Sequence, residues 1–173
     1  MSKPVEQPAP IDPEFQFWRI LDHTRFMIGR AREKELAQFG LTPEQSHVLD
    51  ILIARGGSIT INEIAEITQR QHHSISTLVA RMSRQGLVTK RKNLTDLRKW
   101  DVFITNKGEQ VFRNVTQDSI HHIVSCLPEA ERKTCKYGLL CLLKRAYEEL
   151  GQPELPVYRR ERERSAGELP QTG

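Results

Sequence analysis

Long apolar runs are missing from this sequence. Its uninterrupted hydrophobic stretches are a few residues long, far below the roughly 20 residues of a membrane-spanning helix. The N-terminal stretch MSKPVEQPAPIDP lacks the apolar core of a signal peptide. A cytoplasmic protein without membrane contact is therefore expected. Cysteine is sparse. Cys126, Cys135 and Cys141 are odd in number and fit neither a CxxC nor a zinc spacing, which predicts reduced, partly buried helix cysteines. Enzyme motifs are missing too. Gly56-Gly57 is not followed by Gly-Lys-Ser/Thr, and there is no HExxH, no GxSxG and no paired-carboxylate cleft in the pattern. No enzyme, no cofactor and no bound metal are expected. Acid is scarcest between Arg70 and Lys99, where eight Lys or Arg meet one carboxylate, Asp96. That segment nets +7 in a chain of net +4, so the remainder is net negative. Positive charge gathered this way is the footprint of a nucleic-acid surface.

What is present is mostly helical patterning. Residues 1–13 hold four prolines and no period, which predicts a disordered tail. Over 14–40, Phe15, Trp18, Leu21, Ile28, Leu36 and Phe39 make one stripe, and Phe17, Ile20, Met27 and Ala31 a second. Two stripes predict one long helix buried on more than one side, ended by Gly40. Thr42-Pro43-Glu44-Gln45 is a capping box with Pro at the first helical position. Gly56-Gly57 stops that helix, and "SITI" (58–61) is no more than a minor strand. Thr60 and Glu63 open a short helix to about Gln69.

After the polar turn "RQHH" (70–73), a helix from about Ser74 to Gln85 sets Ile75, Leu78, Val79 and Met82 on one face. Ser76, Thr77, Ala80, Arg81 and Arg84 lie opposite. "LVTKRK" and "WDVFIT" read as two strands joined by the charged tip "NLTDLRK". Thr105 caps a helix expected to reach about Cys126. Pro128 opens the last one, and residues 152–173 are expected to be a flexible basic tail. The fold class is mainly α with a small β-hairpin wing. Helix, turn, amphipathic helix and hairpin make a winged helix-turn-helix over 41–105. Short Ser and Thr side chains let such a helix enter a major groove about 12 Å wide, where arginines reach base edges or phosphates.

"LTPEQSHVLDIL", "SISTLVARMSRQGLVTKR", "DLR" and "ITNKG" resemble, in order and spacing, the successive motifs of the multiple antibiotic resistance regulator (MarR) family. The likeness runs from about residue 15 to 150. It implies a homodimer joined by an N-terminal dimerisation helix (14–40) and C-terminal dimerisation helices (106–151). It also implies a ligand-responsive transcription factor, most often a repressor, on an inverted repeat of double-stranded DNA. Carried over, recognition helix 74–86 enters the major groove and wing 87–105 the minor groove. Asp96 pairs with Arg98, which reads an A·T-rich minor groove. Expected DNA contacts are Arg70, His73, Ser74, Ser76, Thr77, Arg81, Arg84, Lys90, Arg91, Lys92, Asp96, Arg98 and Lys99. Thr68 and Arg70 stand where the family usually has apolar residues. Arg70 and His73 are therefore either added DNA contacts or signs of different packing.

Trp18, His23, Phe26, Met27 and His47 fall near the family's effector pocket. Dimer core and hydrogen-bonded interface histidines are the competing readings. His121 and His122 are adjacent and cannot share one helix face. The first helix carries no cysteine for thiol sensing. A redox- or metal-responsive regulator of the same fold stays open as an alternative. So does a winged-helix protein-interaction module, although that would not need the +7 segment.

Overall fold

The computed structural model describes residues 12–96 and 98–168. The chain divides into two compact units between Ile120 and His121. In the first unit, α1 (Pro13–Ala37) starts at Asp12, whose carboxylate accepts from Glu14 N at 3.4 Å. Its 25 residues span about 38 Å. The helix stops short of Phe39, where the sequence pattern carried it. Gly40 takes a left-handed φ of +68°, and Leu41 N folds back onto Leu36 O, so Leu36 and Leu41 are both buried at the turn. Only Glu35 and Leu36 of α1 are buried. Phe15, Phe17, Trp18, Ile20, Phe26 and Met27 are each more than half exposed. Within one chain, the doubly striped helix is thus covered only at its C-terminal end.

α2 (Pro43–Ala54) and α3 (Ile61–Thr68) each begin in a complete capping box, Thr42 with Gln45 and Thr60 with Glu63. The Thr60 hydroxyl, then its backbone N–H, holds the Glu63 carboxyl below its usual range. Between these helices, β1 (Ser58–Thr60) is a true third strand. β2 (Val88–Lys92) and β3 (Trp100–Ile104) form the hairpin, and β1 pairs antiparallel with β3 to give the order β1-β3-β2. α4 (His72–Arg84) lies between α3 and the hairpin in sequence. Leu49, Leu52, Ile64, Val79, Met82 and Val102 are fully buried together at the centre of this unit.

The helix expected from Thr105 to Cys126 is two helices, α5 (Asn106–Asn114) and α6 (Asp118–Val124). Val115 turns extended (ψ 120°) at the break. The cause lies on α1. The Glu35 carboxylate accepts from the Thr116 hydroxyl (2.7 Å), the Ser119 hydroxyl and Ser119 N (3.4 Å), and from Arg32 Nη1 (2.7 Å). Arg32 also donates to Thr116 O at 2.6 Å. The Ser119 hydroxyl first, then Thr116 and Arg32, lower the Glu35 carboxyl from the usual 4.5 to about 2. A depressed carboxyl stabilises the fold above its unfolded value and loses that contribution as pH falls towards the folded one. The Glu35→Gln variant is therefore expected to melt below wild type at pH 7. By pH 3 the gap should shrink to roughly half or less. Circular-dichroism melts across pH 7 to 2.5 check this, and a gap independent of pH overturns the assignment.

In the second unit, α7 (Glu129–Glu149) begins after Pro128 as expected. The expected flexible tail instead contains α8 (Pro156–Gly167), which packs on α7. No apolar stripe announces it. Of its charge pairs, Glu161 to Lys136 at 2.9 Å reaches α7, Arg162 to Glu154 at 3.0 Å ties it to the segment just before it, and Arg164 to Glu161 at 2.6 Å lies within it. Cys126 and Cys135 are exposed rather than partly buried, and only Cys141 is half-buried. No helix among the described residues is long and apolar enough to cross a membrane.

Candidate nucleic-acid interface

The turn before α4 is shorter than the sequence suggested. Gln69 adopts a left-handed φ of +51°, and Arg70 N donates back to Ala65 O at 3.0 Å. α4 therefore begins at His72, not near Ser74, and Gln71 is its N-cap without a side-chain bond. His72 and His73 stand in its first turn, and the Ser74 hydroxyl meets His73 rather than capping. The buried face is Ile75, Leu78, Val79 and Met82, as the spacing predicts. Opposite it, His73, Ser74, Thr77, Arg81 and Arg84 line an open groove of about 620 Å³ with Arg70, Leu78 and Glu44. Ser76 is half-buried on the other flank and does not line this groove. Among the described residues, Arg81 and Arg84 have no ion-pair partner. Arg70 has one, Glu44 at 3.4 Å. The Glu44 carboxyl is lowered first by its own backbone N–H, then by the Thr42 hydroxyl and Arg70. Glu44, the only acid lining the groove among the described residues, entered the sequence reading only as part of the Thr42–Gln45 capping box.

The wing cations are held on aromatic rings. Lys90 Nζ lies 5.0 Å and Lys92 Nζ 4.4 Å from the Trp100 centroid, and Arg91 Cζ lies 5.5 Å from that of Phe103. At the tip, Asn93 Oδ1 accepts from Thr95 N, Thr95 Oγ1 and Asp96 N, while its amide donates to both Asp101 oxygens. Asp96 then accepts from Arg98 N at 3.1 Å and Arg98 Nε at 3.3 Å, with Lys99 Nζ at 3.9 Å. The expected Asp96–Arg98 pair is present, and the Arg98 side chain is 93% exposed. Asn93, Trp100 and Phe103 were not singled out from sequence. A run of cations on one hairpin strand facing aromatics on the other would have been the signal.

A corner joins helix and wing. Lys107 Nζ donates to Gln85 O at 2.8 Å, and the Thr105 hydroxyl donates to Gly86 O at 2.7 Å and contacts Leu87 O at 3.0 Å. The buried Gln45 amide reaches Gln85 Oε1 at 2.5 Å. The "ITNKG" segment is thus a clamp on the point where α4 passes into β2.

The expected effector residues are not gathered in one place within the chain. Trp18 and His23 line an open concavity on α1, and Phe26 stacks on His23 with centroids 6.3 Å apart. Met27 is exposed. His47 lines a separate small cavity, about 140 Å³, between α2 and α4. Among the described residues, no three His, Cys, Asp or Glu side chains are placed to hold a metal ion.

A comparison with curated protein sequences returns no match. Residues 39–99 match the sequence model of the MarR family. Among solved structures, an organohalide-sensing transcriptional regulator in its 2,4-dichlorophenol-bound form is 21% identical, with TM-score 0.74, covering 90% of this chain and 98% of its own. The MepR–DNA complex of S. aureus is 26% identical, with TM-score 0.66, 78% of this chain and 99% of its own. An E. coli MarR mutant complexed with operator DNA is 22% identical, with TM-score 0.69 and coverages of 78% and 99%. Residues 39–99, which hold the helix-turn-helix and the first strand of the wing, are thus similar to the MarR family, and the chain has the fold of solved MarR-family transcriptional regulators.

Proposed function

We propose that the chain is a ligand-responsive repressor that binds an inverted DNA repeat as a homodimer. The observation that carries this reading is the groove on α4, where Arg81 and Arg84 stand exposed with no carboxylate partner among the described residues, beside a wing of ring-held cations. α4 enters the major groove, with Arg81 and Arg84 reaching base edges or phosphates and Ser74 and Thr77 close to the backbone. Arg98, at the exposed wing tip, enters the minor groove, where narrow A·T tracts attract a cation. The DNA-bound relatives support that placement. The exposed aromatic face of α1 supports pairing with a second copy, and the dichlorophenol-bound relative supports an aromatic effector. The effector acts by binding the two shapes of the dimer unequally. The protein works in the cytoplasm, where its DNA lies.

Selection from a random duplex pool tests the reading. The expected product is a palindrome with half-sites about one helical turn apart, bound by a dimer with affinity falling steeply as salt rises. Recovery of no enriched duplex at low salt sinks it. The Asp96→Asn variant tests the wing. An amide keeps the tip's shape but weakens the hold on Arg98, so binding is expected to weaken about 5- to 10-fold, about 1 kcal/mol or slightly more. If Asp96 merely dilutes the positive charge, binding tightens instead.

A further inference from the structure

Glu44 and Gln45 are neighbours in the first turn of α2, yet they reach residues that flank opposite ends of α4. Glu44 meets Arg70, two residues before α4 begins, and Gln45 meets Gln85, its C-cap. The two ties are unequal. The Glu44–Arg70 pair is exposed on both sides, where ion pairs contribute little. Gln45 is only 1% exposed, and both ends of its amide are engaged. Its Oε1 accepts from Thr42 N at 2.9 Å, and its Nε2 donates to Gln85 Oε1 at 2.5 Å. A backbone N–H can only donate, so the Gln45 oxygen must face Thr42 and its amide nitrogen must face Gln85. Gln85 carries this restraint along α4. Its backbone N–H donates to Arg81 O at 3.1 Å, and its own carbonyl accepts from Lys107 Nζ. The buried face of α4 is Ile75, Leu78, Val79 and Met82, and apolar burial is non-directional. It holds α4 down, but it sets the pitch of the helix less sharply than a directional hydrogen bond at one end.

We propose that Gln45 is a positioning residue for sequence choice. By holding Gln85 it fixes the C-terminal end of α4, and with it the angle at which Arg81 meets a base pair. This role rests on the DNA-binding reading above and adds to it a buried residue that touches no DNA. A guanidinium must be placed accurately to bond both acceptors on a guanine edge. A phosphate contact carries no sequence choice and tolerates a looser helix. Loss of the tie should therefore cost discrimination between sequences more than affinity for DNA at large.

The test uses the full chain, a duplex selected by the wild type and a scrambled one, well below every variant's melting temperature. Q85A removes the acceptor from an exposed position. It is expected to cut the ratio of the two affinities about 10-fold. Binding to the scrambled duplex should stay within about 2-fold of wild type, with the salt slope unchanged. Q85E keeps an oxygen for the Gln45 amide, and its added charge acts on both duplexes alike, so the ratio is expected to stay within about 3-fold of wild type. In an R81A background, Q85A is expected to lower the ratio by no more than about 2-fold, because its effect passes through Arg81. A ratio unchanged in Q85A, or one that falls as far in R81A as in wild type, overturns the proposal. So does an equal loss on both duplexes, which a merely structural role would give. A second readout does not depend on DNA. The Gln45 side-chain amide protons are expected to be protected from exchange with water in the free protein and to exchange faster in Q85A. An unprotected amide in the wild type overturns the tie. A wild type that selects no duplex overturns the DNA-binding reading and the role of Gln45 with it. A selected duplex whose ratio is insensitive to Q85A overturns the role of Gln45 alone.

Discussion

Replacing Arg81 and Arg84 together by alanine is expected to weaken binding to a selected duplex by about 30-fold or more. A well-formed arginine contact to a base is worth about 1–3 kcal/mol, and two such losses compound. The structure adds a reason to expect the full effect. Elsewhere in the chain, arginines and lysines often find a carboxylate three or four residues away, as in Arg25–Asp22, Arg113–Glu109, Lys133–Glu129 and Arg145–Glu149. Among the described residues Arg81 and Arg84 do not, so DNA need not compete with such a partner. Both are exposed, and exposed substitutions change stability by only about 0.5 kcal/mol either way. The melting temperature is therefore expected to stay within roughly 2 °C of wild type. Fluorescence anisotropy with selected and scrambled duplexes, beside a thermal melt, separates the two effects. The single Arg81→Ala variant is expected to relax choice within the half-site. Equal loss on selected and scrambled duplexes would show a phosphate role only, and unchanged binding would remove α4 from the interface.

Elements whose signals are local could be read from sequence. The boxes at Thr42 and Thr60, the Thr105 cap and the four-residue apolar face of α4 each lie within a few residues of what they specify. What could not be read was set at a distance or by unlikely conformations. The break between α5 and α6 is made by Glu35, more than 80 residues away. α8 has no stripe, and its pairs Arg162–Glu154 and Lys136–Glu161 join it to residues outside the helix that no local pattern connects. The early start of α4 depends on Gln69 in a left-handed conformation that side chains with a Cβ seldom adopt. β1 is three residues long and is defined only by its register with β3.

The candidate interface divides in the same way. A scarcity of acid located the cations, because a charge count needs no geometry. Their seats did not show. Trp100 and Phe103 read as ordinary strand residues until the register placed β2 lysines and arginine over them. Glu44 figured only as a letter of the Thr42–Gln45 capping box until the packing of α2 and α4 brought it to Arg70. Within one chain the effector set is divided for a related reason. His23 and His47 sit on different helices facing different concavities, and no spacing rule relates one helix's direction to another's.

Gly108 is the position where one methyl group is expected to do most damage. It lies in the first turn of α5, within the corner that joins α4 to the wing. A Cβ there would stand 2.1 Å from Leu87 O, 3.0 Å from Leu87 C and 3.2 Å from Ile104 Cγ1. The nearest atom is backbone, so no side chain can swing aside. Leu87 O is also a fixed point, since it accepts from Thr105 N at 3.1 Å. Relief must come from α5 moving away, which would strain the Thr105 and Lys107 bonds to Gly86 and Gln85. Overpacking of this kind costs about 3 kcal/mol or more, so Gly108→Ala is expected to lower the melting temperature by about 10 °C. Gly138 is the control. It lies mid-helix in α7 with nothing within 4 Å of a built Cβ, so alanine there should stabilise by roughly 0.5–1 kcal/mol. Melts of the two variants side by side decide the matter. Changes of the same sign would mean that helix propensity, not the Leu87 carbonyl, governs position 108. Because the corner also fixes α4 against β2, the Gly108→Ala protein should bind DNA more weakly even at temperatures where it remains folded.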